Sequence, residues 1–258
     1  SSHILLTLCF SSYLIWQKRN ELPAPERGSL GLSLIPAALG LGVLALFLLQ
    51  PSGLSANDFL SWTVLPFYLL FLAGVIFLLG GKFAQSIAFP LGFAIFIVPF
   101  PTAVENALEI ASQTASAEVY SWMMYATGAT YYREGQLFML PNLTIHVAQE
   151  CSGIRSSFVL FLTSLLAGYM FLRTGWKRAL FAFFVIPLGL VRNAFRVYVI
   201  SMLTAHVAPW IIDSPLHHRG GPIFFALSLI PFFALLLWLR KTDRPPSPVQ
   251  SPHPVHPV

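Results

Sequence analysis

The sequence predicts an all-α integral membrane protein with about seven transmembrane helices, and two observations carry this prediction. First, 56% of the 258 residues are apolar and only 10% are charged, whereas about a quarter of the residues in a soluble domain are charged. The mean hydropathy of +0.71 agrees. Second, long apolar stretches recur, and a bilayer core needs about 20 such residues per helix. This composition excludes an ordinary soluble enzyme, a disordered chain and a nucleic-acid-binding protein.

Seven apolar stretches are the predicted spans. They run from Ile4 to Trp16, Leu30 to Leu49, Phe59 to Leu79, Phe83 to Phe100, Ser152 to Leu172, Ala179 to Leu203, and Pro222 to Leu239. The first is short, and because the chain begins at Ser1 we leave room for an eighth helix upstream. A cleaved signal peptide is the alternative for the first stretch, but no A-x-A site follows it and Lys18 and Arg19 do.

The positive charges set the orientation. Ten of the fifteen Lys and Arg residues fall on one side of the predicted spans, whereas Arg133 and Arg219 fall on the other and three lie within spans. Because cytoplasmic loops carry the excess of Lys and Arg, we predict a multi-pass protein of the cytoplasmic (inner) membrane. The ten are Lys18, Arg19, Arg27, Lys82, Arg173, Lys177, Arg178, Arg240, Lys241 and Arg244.

Four regions follow from this pattern: N-terminal transmembrane helices over 1–101, an extracytoplasmic segment over 102–150, catalytic transmembrane helices over 151–241, and a disordered, Pro-rich cytoplasmic tail over 242–258. The extracytoplasmic segment predicts a helix from Thr102 to Thr127 and then a short hairpin around Pro141 and Asn142. An apolar stripe is predicted on that helix, formed by Ala107, Leu108, Ala111, Ala115, Val119 and Trp122.

Ionisable residues inside spans are costly and are functional candidates. Cys151 opens the fifth span at the outer surface, and Arg155 follows four residues later on the same helix face. Arg196 lies 17 residues beyond Ala179, which is about 25 Å along a helix, so it also reaches the outer surface. The predicted topology therefore brings a thiol, guanidinium groups and imidazoles to the outer surface of the membrane. The further candidates at this level are Arg192, His217 and His218.

These groups suit cysteine-dependent acyl transfer. A thiol attacks as the thiolate, which the N-terminal end of a helix favours at Cys151 and which Arg155 favours by its charge. A histidine can act as acid or base, and an arginine can stabilise an oxyanion. Glu150 is expected to orient a catalytic group or to cap the helix. No H-x-x-x-H or C-x-x-C spacing occurs, so neither a metal nor another cofactor is predicted.

Structural alternatives stay open for several of these residues. Arg192 either hydrogen-bonds helix carbonyls or extends its charged end toward water. Arg155 is alternatively a clamp on the hairpin. Cys9, in an apolar span without polar neighbours, is interpreted as an inert small residue.

Three motifs in this order resemble those of the exosortase/archaeosortase family. The run Glu150 to Ser156 (ECSGIRS) is similar to the family's cysteine motif, Asn193 to Arg196 to its N-x-x-R motif, and His217 to Gly221 to its H-x-x-x-G motif. The resemblance covers about 129–239, and the residues before Thr102 match only in hydropathy. The acidic residue before the cysteine is more like the bacterial branch.

The resemblance implies a role for each residue. It makes Cys151 the nucleophile, Arg196 the stabiliser of the transition state and His217 the acid/base, with Asn193 as part of the arginine motif. The spacing to Gly221 selects His217 over His218, although Pro222 stands where the family more often has a bulky aromatic residue.

The resemblance also implies a sortase-like thiol protease or transpeptidase. Its partners are exported proteins that end in a sorting signal: a short motif such as Pro-Glu-Pro, a transmembrane helix and a basic tail. The site would face the periplasm or exterior and transfer the cleaved protein to a surface acceptor. The alternative is a non-enzymatic transporter or assembly factor for polysaccharide or protein export; an inactive scaffold is a third. A transporter would carry polar groups near mid-membrane, whereas here they cluster at the outer end.

Overall fold

The protein is described by a computed structural model that covers residues 2–26, 28–49, 53–141, 143–147, 154–208, 210 and 220–243. The chain divides into two compact units, residues 1–107 and 108–258. Both units consist mainly of helices.

The first unit begins with three helices, α1 (Ser2–Gln17), α2 (Leu30–Leu48) and α3 (Ala56–Leu79). The helices α2 and α3 lie side by side in opposite directions. A Cβ atom at Gly40 of α2 would lie only 3.1 Å from the Leu70 side chain of α3. A glycine at this position therefore permits the close packing of the two helices.

The predicted span from Phe83 to Phe100 is wrong as a single helix. It is divided into α4 (Gly81–Ser86), α5 (Ala88–Phe93) and a 3-10 helix (Ala94–Ile97). Ile87 leaves the helical conformation between α4 and α5, with φ −110° and ψ 22°. Hydropathy cannot detect such a break, because an interrupted run of apolar residues scores like a continuous one.

The second unit holds most of α6 (Thr102–Ala126), whose first residues belong to the first unit. Three strands follow: β1 (Tyr132–Glu134), β2 (Leu137–Leu140) and β3 (Leu143–His146). Three helices complete the described part of the unit: α7 (Ile154–Phe171), α8 (Gly175–His206) and α9 (Gly221–Thr242).

The strands form an antiparallel sheet in the order β1-β2-β3. The predicted hairpin is confirmed, since β2 and β3 pair with Leu140 opposite Leu143. The first strand was not predicted, because it is only three residues long and mostly exposed. Gly135 has φ +61° in the turn between β1 and β2, a conformation that favours glycine in a two-residue hairpin turn.

The predicted helix over 102–127 is confirmed as α6, but its predicted apolar stripe is not the buried face. Trp122 is 72% exposed, and Ala107, Leu108 and Ala111 are exposed as well. The buried residues of α6 are Gln113, Ser116, Ala117, Tyr120 and Met124. Apolar side chains occur on several sides of this helix, so their spacing alone did not identify the side that packs.

Two buried clusters organise the second unit, and α8 contributes to both. One lies among α6, the sheet and the C-terminal part of α8, and includes Tyr120, Phe138 and Ala194. The other lies among α7, α8 and α9, and includes Leu160, Phe181 and Phe232. The changeover from one environment to the other occurs along α8.

The structure confirms fewer spans than the sequence predicts. Among the described residues, four helices are long and apolar enough to cross a membrane: α2, α3, α8 and α9. A fifth is counted only if Ala88–Ile97 and α6 form one bent span. The apolar segments Ile4–Gln17 and Ser156–Phe171 are helical but shorter. The prediction of about seven spans is therefore not confirmed, although the chain is mainly helical and several helices are of membrane type.

Candidate active site

The structure describes some of the predicted site residues. Arg192, Asn193 and Arg196 lie on α8. The predicted residues Glu150, Cys151, His217 and His218, and the side chain of Arg155, lie outside the described residues. What the structure does describe is the chain on both sides of the cysteine and the chain that follows the histidines.

The helix α8 has 32 residues, which is about 48 Å and longer than the roughly 30 Å of a bilayer core. Its N-terminal part packs against α7 and α9 through Phe181 and Val185. Its C-terminal part packs against α6 and the sheet through Ala194, Val197 and Tyr198. We call residues 192–196, where the surroundings change, the central turn.

Arg192 ties the central turn to both neighbouring helices. The side chain is only 8% exposed. Its Nη2 donates to Ser156 Oγ at 2.7 Å and to Ser157 Oγ at 3.0 Å, and its Cζ lies 5.7 Å from the centre of the Phe225 ring on α9. Extension of this side chain toward water, one of the two interpretations from the sequence, is therefore wrong. The hydrogen bonds go to hydroxyls in the first turn of α7.

Close approach of α7 and α8 makes these hydrogen bonds possible. A Cβ atom at Gly189 would lie 2.5 Å from Ser157 Oγ and 3.2 Å from Ser157 Cβ. Gly189 is buried one turn before Arg192. The absence of a side chain there leaves room for the serine that Arg192 contacts.

Val147, four residues before Cys151, is held by both of its backbone groups. Its N–H donates to the Gln136 carbonyl at 3.0 Å, and its carbonyl accepts a hydrogen bond from the Gln113 side chain of α6. Val147 is 1% exposed and belongs to the same buried cluster as Ala194 of the central turn. The chain that enters the cysteine segment is therefore fixed in position.

The start of α9, just after the predicted histidines, also meets the central turn. The Gly220 carbonyl accepts hydrogen bonds from the backbone of Ile223 and Phe224 and so begins the helix. The Phe224 ring lies 6.2 Å from the Phe195 ring in an edge-to-face arrangement. A mainly apolar groove of about 240 Å³ runs between α8 and α9, and Arg192 is part of its lining.

A second polar cluster lies at the N-terminal end of α8. Lys177 Nζ lies 3.3 Å from the Asp243 carboxylate, and both side chains are buried. The carboxylate also accepts hydrogen bonds from Thr174 Oγ1 and the Arg173 backbone, both at 2.5 Å. The hydrogen bond from the Thr174 hydroxyl, followed by that from the Arg173 N–H, holds the pKa of Asp243 well below its usual range. This cluster joins the turn between α7 and α8 to the end of α9.

This cluster corrects the predicted disordered tail over 242–258. Thr242 ends α9, and Asp243 forms the contacts just described. The rest of the predicted tail lies outside the described residues. An acidic residue that follows Lys and Arg residues at the end of a span indicates an ion pair, but the sequence does not specify which cation is the partner.

The sequence analysis did not identify three other residues that contact the site or the chain leading to it. Ser156 and Ser157 belong to or follow the cysteine motif, and their place in the first turn of a span was the available signal. Gln113 is a buried amide on a helix interpreted as a surface element, and nothing in the sequence paired it with Val147. The described residues contain no group of three or more His, Cys, Asp or Glu that could hold a metal.

Comparison with known proteins identifies the family. A model of the transmembrane exosortase family matches residues 1–240. The match includes the N-terminal helices, which the three motifs did not cover. No curated protein and no solved structure matches the chain at a significant level. Because the family model covers most of the chain, this protein belongs to the transmembrane exosortase family.

Proposed function

We propose that this chain is a membrane-embedded cysteine transpeptidase that cleaves the C-terminal sorting signal of exported proteins at the outer face of the cytoplasmic membrane. In this proposal Cys151 is the nucleophile, Arg196 stabilises the transition state and His217 is the acid/base. The observation that carries the proposal is the convergence of three chain segments on the central turn of α8.

Those segments are the ones that flank the proposed catalytic residues. Val147 precedes Cys151, Ser156 and Ser157 follow it, and Phe224 and Phe225 follow the histidines. An extended chain covers at most about 3.6 Å per residue. Cys151 therefore lies within about 11 Å of the start of α7, and His217 within about 14 Å of the start of α9. These short connections limit how far either residue can lie from the central turn, which includes Arg196.

The proposed reaction has two steps. His217 accepts the thiol proton of Cys151, and the thiolate attacks the scissile carbonyl carbon while the C=O π pair moves to oxygen. The Arg196 guanidinium stabilises this oxyanion. Collapse re-forms the carbonyl and breaks the C–N bond, and His217 gives its proton to the leaving amine. An acceptor amine, or water, then attacks the thioester, and its proton returns through His217 to the sulfur.

The charge distribution supports an outward-facing site. Arg173, Lys177 and Arg178 lie near one end of α8, and Arg240 and Lys241 lie at the end of α9 that contacts them through Asp243. The positive-inside rule makes that end cytoplasmic. The central turn begins 17 residues beyond Gly175, or about 26 Å along the helix. A substrate helix with its own basic cytoplasmic tail would present the preceding motif at that level.

The test is processing of a reporter protein that ends in a Pro-Glu-Pro motif, an apolar helix and a basic tail. Wild-type protein should shorten the reporter in cells that hold no second family member. Cys151→Ala should leave it full-length and membrane-bound, because no thioester can form. Arg196→Ala should reduce the rate about 10²–10³-fold, the usual effect of losing an oxyanion donor.

Cys9→Ala is the matched control, because Cys9 is an exposed thiol of α1 and belongs to none of the three motifs. It should leave processing unchanged. Normal shortening of the reporter by Cys151→Ala would contradict the proposal and would favour a scaffold.

A further inference from the structure

The central turn of α8 contains a buried side-chain amide, that of Asn193. Asn193 is 2% exposed, and its Nδ2 donates to no group within the part of the chain that the structure describes. A buried donor that forms no hydrogen bond lowers stability, and in native proteins such groups are rare and require an explanation. A role toward a ligand is one recognised explanation.

The other buried polar atoms in this condition are less informative. Among the described residues they include the hydroxyls of Ser11 and Ser116. A helical serine can rotate about one bond and donate to the carbonyl one turn earlier. The carboxamide of Asn193 is larger, and no rotation about a single bond gives it a backbone partner in the same way. Its neighbours Arg192 and Ala194 are buried as well, whereas Val191 and Phe195 on either side of these three residues are exposed.

Asn193 lies close in the chain to the residues that the proposed reaction uses. It lies three residues before Arg196, so the two side chains are neighbours on the surface of α8. Arg192 before it contacts the serines that follow Cys151, and Ala194 after it shares a cluster with Val147, which precedes Cys151. The two residues that adjoin Asn193 in the chain are therefore associated with the two flanks of the cysteine segment.

We propose that the Asn193 side-chain N–H is a second oxyanion donor, which binds the substrate carbonyl oxygen together with Arg196. This inference rests on the proposed function. When the Cys151 thiolate adds to the scissile carbonyl, the C=O π pair becomes a lone pair on oxygen. The Asn193 amide donates a hydrogen bond to that oxygen and keeps its own proton. A donor that is held ready and unused in the free enzyme needs no reorganisation during the reaction.

The experiment compares two reactions of the same thiol in a Cys9→Ala background, with purified protein in proteoliposomes. The first is single-turnover cleavage of the sorting-signal reporter, which forms an oxyanion. The second is alkylation of Cys151 by iodoacetamide, a displacement at carbon that forms none. For Asn193→Ala we expect the cleavage rate to fall about 10²–10³-fold and the alkylation rate to remain unchanged. An equal fall in both rates would overturn the proposal, because Asn193 would then act on the thiol or its placement.

Stability separates a catalytic amide from a structural one. Asn193→Leu has nearly the same size and removes the unused donor. We expect its unfolding temperature to equal or exceed that of the wild type, while reporter cleavage is lost as in Asn193→Ala. A lower unfolding temperature with full cleavage would show that Asn193 supports the fold alone. Thr204→Val is the matched control: Thr204 is a buried polar residue of α8 whose hydroxyl donates to the Ile200 carbonyl, and its loss should leave cleavage unchanged.

The outcome also distinguishes this inference from the proposed function. If Cys151→Ala abolishes cleavage and Asn193→Ala cleaves at the wild-type rate, only the role of Asn193 is refuted. If Cys151→Ala cleaves normally, the cysteine mechanism itself is refuted.

Discussion

The helix α8 carries a buried positive charge near its N-terminal end and another in its central turn, and the two have different described partners. Lys177 is 7% exposed and Arg192 is 8% exposed. Lys177 lies against the carboxylate of Asp243. The described contacts of Arg192 are hydrogen bonds to two serine hydroxyls and an aromatic ring that its guanidinium group faces.

This comparison shows that two cations buried to the same extent can be held by different kinds of partner. A buried cation beside a carboxylate has its charge compensated within the fold, and the pair joins the elements that carry it. Arg192 has hydroxyls among its partners and lies four residues from a second arginine, Arg196. The two guanidinium groups place positive charge in the central turn, where a thiolate or an oxyanion would be stabilised.

Removal of Arg192 should have the largest effect among the changes that test this comparison. Arg192→Ala leaves Ser156 and Ser157 without their donor and opens space between three helices. We expect cleavage of the reporter to fall by about 10–100-fold, because small misplacements of a nucleophile are costly. Stability should fall by roughly 2–4 kcal/mol. Cleavage rates and thermal unfolding in lipid nanodiscs measure the two effects.

Arg192→Lys is its control, since lysine keeps the charge but not the forked geometry. Partial recovery of cleavage is expected. If Arg192→Ala cleaves normally at normal protein levels, Arg192 does not position the cysteine segment. Both buried cations of α8 are then purely structural.

Gly189→Ala should have an intermediate effect. The new methyl group would force Ser157 Oγ to rotate away, since the distance of 2.5 Å is too short, and the hydrogen bond from Arg192 would be lost. Overpacking of this kind destabilises by about 1–3 kcal/mol, and cleavage should fall less than in Arg192→Ala. Gly175→Ala is the matched control on the same helix, because a Cβ there meets nothing within 4 Å. Equal behaviour of the two variants would show that α7 and α8 are not tightly packed at Ser157.

Asp243→Asn should have the smallest effect on cleavage, which we expect to remain near the wild-type rate. Its effect is on stability, because it breaks the buried contact with Lys177. The folded-state pKa of Asp243 is lowered, chiefly by the hydrogen bond from Thr174, whereas the pKa of an aspartate in the unfolded chain is about 3.9. The stabilisation is thus complete above that pH and is lost as the pH falls.

Thermal unfolding measured from neutral to acidic pH checks this prediction. The difference between wild type and Asp243→Asn should be constant above about pH 5 and should shrink below about pH 4. A difference that grows on acidification has the wrong sign and would contradict the assignment. Loss of cleavage without loss of stability would show that the Lys177–Asp243 contact, and not only Arg192, serves the reaction.

The sequence allowed the membrane class, the helix over 102–127, the hairpin and the last three helices to be predicted, because each depends on local periodicity or on long apolar runs. It did not allow the break at Ile87 to be predicted. A helix is interrupted by a change of backbone angles at one residue, and hydropathy averages over many. The buried side of α6 was also missed, since Trp122 and Tyr120 are both plausible core residues until the sheet is known to cover Tyr120.

By itself, the sequence determined the family, the motif residues and the clustering of positive charge on one side, because these depend only on which residues occur and how they are spaced. Tertiary structure alone decided that Arg192 is buried against Ser156 and Ser157, that Gln113 holds Val147, and that Asp243 meets Lys177. These partners are separated by 34 to 66 positions in the chain. Contacts over such separations are chosen by the packing of whole helices, and local sequence does not specify that packing.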